Sequence, residues 1–114
     1  MSDYHQLIVW KRALELATLT YRLAHHFPKD ELYALTSQLK RAVVSVMANI
    51  VEGSAKPTKK DFLKFLYTAS GSLSECQCYY ELALELEYIN KEQFDYIEEK
   101  RKEVGYLLSR LLLT

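Results

Sequence analysis

Four lysines crowd one short segment, at Lys56, Lys59, Lys60 and Lys64. Ammonium groups at this density suit one kind of chemistry, the neutralisation of a polyanion. Each phosphate contact releases counterions, so binding of this kind weakens steeply with salt. Thr58 and Asp61 mark the start of a helix inside the segment, and a helix N-terminus favours anions as well. Lys40, Arg41, Lys11 and Arg12 extend the patch if the fold or an assembly brings them near. A second reading stands beside this one: a solvated basic loop that offsets acidic charge elsewhere.

Other site chemistries find little support. A di-iron bundle needs Glu three residues before an inward-facing His, yet Ser2, Arg22 and Leu23 precede His5, His25 and His26. Cys76 and Cys78 point to opposite sides of a helix, cannot clasp one metal, and read as small buried residues. His25 and His26 read as solvent-facing. No glycine-rich phosphate loop is present, and no nucleophile sits in a recognisable strained turn. The reading is a non-enzyme with no cofactor and no metal.

Lysine and arginine number 15, as do aspartate and glutamate, so the net charge is zero. The distribution is uneven. Residues 1–74 hold ten bases and six acids, whereas residues 75–103 hold four bases and nine acids. A zero total excludes coating of nucleic acid by bulk charge but leaves room for a local patch. The longest nearly apolar run, residues 42–51, is about half of what a membrane span needs. With no signal-peptide pattern, the expected location is the cytoplasm.

Caps and periodicity predict four helices, at about 4–26, 31–52, 59–89 and 91–112, in a single domain spanning 1–114. Asp3 with Gln6, Asp30, Thr58 with Asp61, and Asn90 with Gln93 supply the starts, while Gly53 suits a left-handed C-terminal position. The apolar stripes are Leu7, Trp10, Leu14, Ala17, Tyr21 and Ala24 in the first helix; Leu35, Leu39, Ala42, Val43, Val46 and Ile50 in the second. The third carries Phe62, Leu66, Ala69, Leu73, Cys76, Tyr80 and Leu84, and the fourth Phe94, Ile97, Val104, Leu108 and Leu111. Short loops between them predict an all-α, antiparallel up-down-up-down four-helix bundle.

The second helix has more apolar surface than one core can take. Val44, Met47 and Val51 form a face apart from its main stripe, and Ile8, Leu16 and Leu19 do so more weakly in the first helix. These six residues are the expected subunit interface of a homo-oligomer. Gln38, Arg41, Ser45, Asn49 and Glu52 make a polar stripe along the same helix. It serves either to fix register against neighbouring helices or subunits, or simply as the wet side. Arg101 falls inside the fourth apolar stripe, where it either snorkels outward or meets an acid such as Glu52 or Glu75. The other acids of the third and fourth helices read as a solvated face. The small run from Ala69 to Ser74 points to close approach of another helix, with a hinge as the alternative.

Three segments, "LIVWKRALELATLTYRL" (7–23), "FPKDELYALTSQLKRAVVSVMANIVEG" (27–53) and "FLKFLYTASGSLSE" (62–75), closely resemble the small four-helix-bundle proteins encoded within intervening sequences of bacterial 23S rRNA genes. Gln38, Leu39, Arg41, Ala42, Ser45, Asn49, Ile50, Glu52 and Gly53, then Ala69 to Ser72 and Glu75, carry that resemblance in combination. It implies a ring-shaped homopentamer with a central channel and an RNA-associated role without enzymatic activity. It also implies kinship with the accessory variability determinant of diversity-generating retroelements, which partners a reverse transcriptase and binds nucleic acid. The functional expectation is therefore a pentameric, RNA- or nucleic-acid-associated accessory protein. The rival is a protein-interaction scaffold, for example for a reverse transcriptase, without nucleic-acid contact.

Overall fold

Asn90 and Gln93 bond to each other's backbone: the Gln93 N–H donates to Asn90 Oδ1 (2.8 Å) and the Asn90 N–H to Gln93 Oε1 (2.9 Å). This complete capping box starts a helix at Lys91. The Asp61 N–H donates to Thr58 Oγ1 (3.2 Å) and starts another at Lys59. The computed structural model describes residues 3, 4 and 7–113. It contains α1 (Ile8–Ala24), α2 (Leu35–Ser54), α3 (Lys59–Glu85) and α4 (Lys91–Leu112), with a 3₁₀ turn at Lys29–Glu31. The described chain is all-α, with no strand.

Several ends differ from the expected ones. Gln6 and His5 lie outside the described residues, and α1 starts at Ile8 with no side-chain cap. Asp30 caps nothing; it joins the 3₁₀ turn, and α2 begins five residues after it, at Leu35. There Glu31 Oε1 accepts from the Leu35 N–H (3.3 Å), so the turn's carboxylate supplies the missing acceptor. α3 stops at Glu85 because Glu87 adopts left-handed backbone, φ 63°. The Glu87 N–H reaches Leu84 O (3.0 Å) and the Tyr88 N–H reaches Ala83 O (2.9 Å), the bond pair of a Schellman end. A side chain in that conformation is strained, so Glu87→Gly raises stability by about 1 kcal/mol, read as a higher urea midpoint at unchanged m.

Each helix packs on two others: α1 on α2 and α4, and α3 on α2 and α4, with α2 against α3 the most extensive pair. The described body measures 43 × 25 × 20 Å, its long axis close to the length of α3. The predicted stripe of α2 is buried throughout, as is that of α3 from Phe62 to Tyr80, while Leu84, Phe94 and Leu111 pack at the margin of the core. The buried arc of α1 is different: Val9, Ala13, Leu16, Ala17, Thr20 and Ala24 face inward, whereas Leu14 and Tyr21 are exposed. Being wedged between α2 and α4, α1 turns inward the arc that carries Ala13, Ala17 and Thr20, whose small side chains allow close approach. Leu16 is therefore a core residue with no exposed surface, not part of a subunit interface.

Gly53 is corrected too. It lies inside α2 rather than in a left-handed cap, and no glycine here has positive φ. A Cβ at Gly53 would stand 2.9 Å from Phe65 Cβ and 3.2 Å from Phe62 O, so glycine is what lets α3 come this close. Close approach in the small run falls on Ala69 and Ser72; Gly71 faces open space.

Candidate nucleic-acid interface

Phe62, Leu66 and Ala69 fasten the first turns of α3 to the core. The opposite side of those turns must then face outward, and it carries Lys60, Lys64 and Tyr67 at helical spacing. With Lys59, Leu63 and Asp61 they line an open depression of about 810 Å³. Lys60 and Lys64 form no ion pair with any described residue, and Tyr67 is 64% exposed. The Asp61 carboxylate is tied to the helix end, where Oδ2 accepts from the Thr58 hydroxyl (2.9 Å).

The other proposed cations do not join this face. Lys56 is half-buried, with Nζ 5.1 Å from the Phe65 ring centre, on a different side of α3. Lys40 holds Nζ 4.8 Å above the Tyr21 ring, and with exposed Arg41 it borders a second depression of about 530 Å³ that also involves Leu32, Tyr33 and Val44. Arg41 stands twelve residues before Gly53, roughly 18 Å along α2, so the two basic places are separate. Arg12 is engaged: Nη1 lies 3.6 Å from Glu15 Oε2 and Nε 3.4 Å from Glu103 Oε1. Lys100 closes this α1–α4 network through Glu15 (3.1 Å), and that hydrogen bond raises its pKa.

The polar stripe of α2 divides. Gln38, Arg41 and Glu52 are exposed, while Ser45 and Asn49 sit at the seam with α3. Asn49 Nδ2 donates to Ser45 O (2.8 Å) and Oγ (3.1 Å), and the Ser72 hydroxyl donates to Ser45 Oγ (2.8 Å). The Ser72–Ser45 bond crosses from α3 to α2 and fixes their register within one chain, while Asn49 holds Ser45 within α2. On the second apolar face, Ile8 is 59% and Val44 42% exposed. Met47 and Leu19 are partly buried against the core, and Val51 is half-buried. Met47, Val51 and Val44 share a shallow groove of about 410 Å³ with Tyr4 and Trp10.

Residues that the sequence reading missed lie in the interior. Of the two expected outcomes for Arg101, an acid partner is the one found, but it is neither Glu52 nor Glu75: Glu98, one turn earlier, holds it by Nε–Oε2 (2.5 Å) and Nη2–Oε1 (2.9 Å). Glu98 is thus a buried acid, not part of a solvated face. Beside the pair, the Tyr80 hydroxyl and Thr20 Oγ1 are 2.6 Å apart. Burial, reinforced by Glu75, pushes the Cys76 thiol up to about 12, leaving a neutral packed group at pH 7 rather than a nucleophile. Burial likewise raises Tyr80. Cys78, expected to be buried, is exposed, and both thiols are free. His25 and His26 are exposed. Among the described residues no group of three His, Cys, Asp or Glu could hold a metal, and no helix is long and apolar enough to cross a membrane. Tyr67 was overlooked as well, although its place three residues after Lys64 and off the apolar stripe was readable.

The comparisons agree with this architecture. No curated protein matches the chain. Among solved structures, a protein of unknown function from the S23 ribosomal protein family of Bacteroides thetaiotaomicron superposes with a TM-score of 0.87. It is 27% identical, and the match covers 94% of this chain and 100% of that one. The model of the 23S rRNA-intervening sequence protein family matches residues 5–110. The four helices, the Gly53 contact and the register of α2 on α3 are thus those of a chain that belongs to the 23S rRNA-intervening sequence protein family.

Proposed function

We propose that this protein is a non-enzymatic, RNA-associated accessory protein that works in the cytoplasm as a homo-oligomer. The observation that carries the reading is the outward face of α3, where Lys59, Lys60 and Lys64 stand around exposed Tyr67. A cation cluster backed by an apolar floor suits a phosphate backbone with bases attached better than it suits a simple anion. The family takes its name from 23S rRNA intervening sequences, and that makes RNA the polyanion to test first. One copy offers few phosphate contacts; a ring repeats the face and multiplies them. The pentamer is the assembly implied by the family resemblance, and exposed Ile8 and Val44 with the Tyr4–Trp10–Met47 groove form the interface proposed for it. The topology proposed within each subunit is up-down-up-down. Its support is that partner numbers rise on one helix as they fall on the next: Gly53 with Phe62 and Ser45 with Ser72, then Arg12 with Glu103 and Glu15 with Lys100.

Fluorescence anisotropy against labelled RNA at several salt concentrations tests the reading. The logarithm of affinity falls against the logarithm of salt with a slope of about −2 per engaged subunit, and exchanging Lys59, Lys60 and Lys64 for Glu removes binding while the helical spectrum persists. Salt-independent or absent binding refutes RNA association. Light scattering on the same sample gives the subunit number, and a species of 13.3 kDa at micromolar concentration refutes the assembly.

A further inference from the structure

Resting on the RNA-association reading, we propose that the outward face of α3 selects single-stranded RNA by stacking an unpaired base on Tyr67. The exposed tyrosines of the described chain are not equivalent. Lys40 lies over the Tyr21 ring at 4.8 Å, Lys100 over Tyr96 at 5.5 Å, and Arg110 over Tyr106 at 5.9 Å. Arg110 also donates to the Tyr106 hydroxyl (3.2 Å). Those ring faces already have a cationic partner. Among the exposed tyrosines Tyr33 and Tyr67 have no such cation and no hydrogen-bond partner among the described residues, and of the two it is Tyr67 that lies among three lysines. Tyr67 stands in that lysine cluster 64% exposed.

The shape of the depression follows the same chemistry. Leu63 lines it beside the ring, and lysines in such a place cover apolar surface with their methylene stems while keeping the ammonium groups in water. A flat base with a phosphate on either side meets both parts at once. The volume of about 810 Å³ leaves room for a nucleotide. Duplex RNA satisfies only the lysines. Its bases are already stacked on one another, and the deep, narrow major groove of an A-form helix does not admit a side chain. An aromatic ring stacked on a base is tolerant of sequence, so the selection is for strandedness rather than for a base order.

Anisotropy with a labelled mixed-sequence strand of about twelve nucleotides, alone and annealed to its complement, decides the point. The single strand binds at least about tenfold more tightly than the duplex. Tyr67→Ala removes that preference, weakening the single strand by about tenfold while leaving duplex affinity and the salt slope in place. Tyr67→Phe retains the preference, because stacking needs the ring and not the hydroxyl. Tyr106→Ala, whose ring is held by Arg110, changes nothing. Equal affinity for strand and duplex, or an unchanged preference in Tyr67→Ala, overturns base stacking while leaving RNA association intact. No salt-dependent binding to either probe overturns both.

Discussion

Glu98→Ala lowers stability by about 3 kcal/mol, the largest loss expected from a single charged residue of this chain. The Glu98 and Arg101 side chains are only 8% and 12% exposed, and two hydrogen bonds of 2.5 and 2.9 Å join them side by side. Taking both charges out of water costs several kcal/mol, which their attraction offsets only while both are present. Without the carboxylate, the guanidinium stays largely out of water, near Cys76 and Tyr80, with no partner to replace it. Removing both charges has a different outcome. Glu98→Leu with Arg101→Met falls within about 1 kcal/mol of the parent, because apolar side chains of similar volume need no partner. Urea melts of the single and double variants check this, with exposed Glu99→Ala as the control. A Glu98→Ala loss no greater than that of Glu99→Ala contradicts the account.

Gly53→Ala lowers stability by about 2 kcal/mol, even though alanine is the better helix former by roughly 1 kcal/mol. The new methyl would meet Phe65 Cβ at 2.9 Å, Phe62 Cδ1 at 3.0 Å and Phe62 O at 3.2 Å. Two of those atoms belong to or adjoin the backbone of α3 and cannot rotate away. The helices must separate at their most extensive contact, and overpacking of this kind costs about 1–3 kcal/mol. The added separation also shifts the turns that carry Lys59 to Tyr67, so the RNA affinity proposed above falls with stability. Gly71→Ala gives the opposite sign. Nothing lies within 4 Å of its Cβ position, so it gains about 0.5–1 kcal/mol of helix propensity alone. The paired melts isolate the steric term, and two stabilising substitutions would show that no close contact exists at Gly53.

Much of the architecture was legible before any coordinates, for reasons that are local. Asn90 with Gln93 and Thr58 with Asp61 announce helix starts because a cap is completed within four residues. The stripes of α2 and α3 were readable because their core-facing apolar residues recur at one helical period, although α2 carries a second apolar face beside its stripe. The lysine cluster and the family resemblance were visible for the same reason. Tertiary structure decided what depends on neighbours distant in the chain. α1 carries apolar residues on two overlapping arcs, and only its position between α2 and α4 buries Leu16 and exposes Tyr21. Spacing could not separate a helix-ending glycine from one that admits Phe62 and Phe65, since α3 supplies the contact. Arg101 took its acid from one turn away on its own helix, which spacing alone could not separate from Glu52, Glu75 or the solvent. Periodicity records how a helix is oily, and only packing settles which side of it meets what.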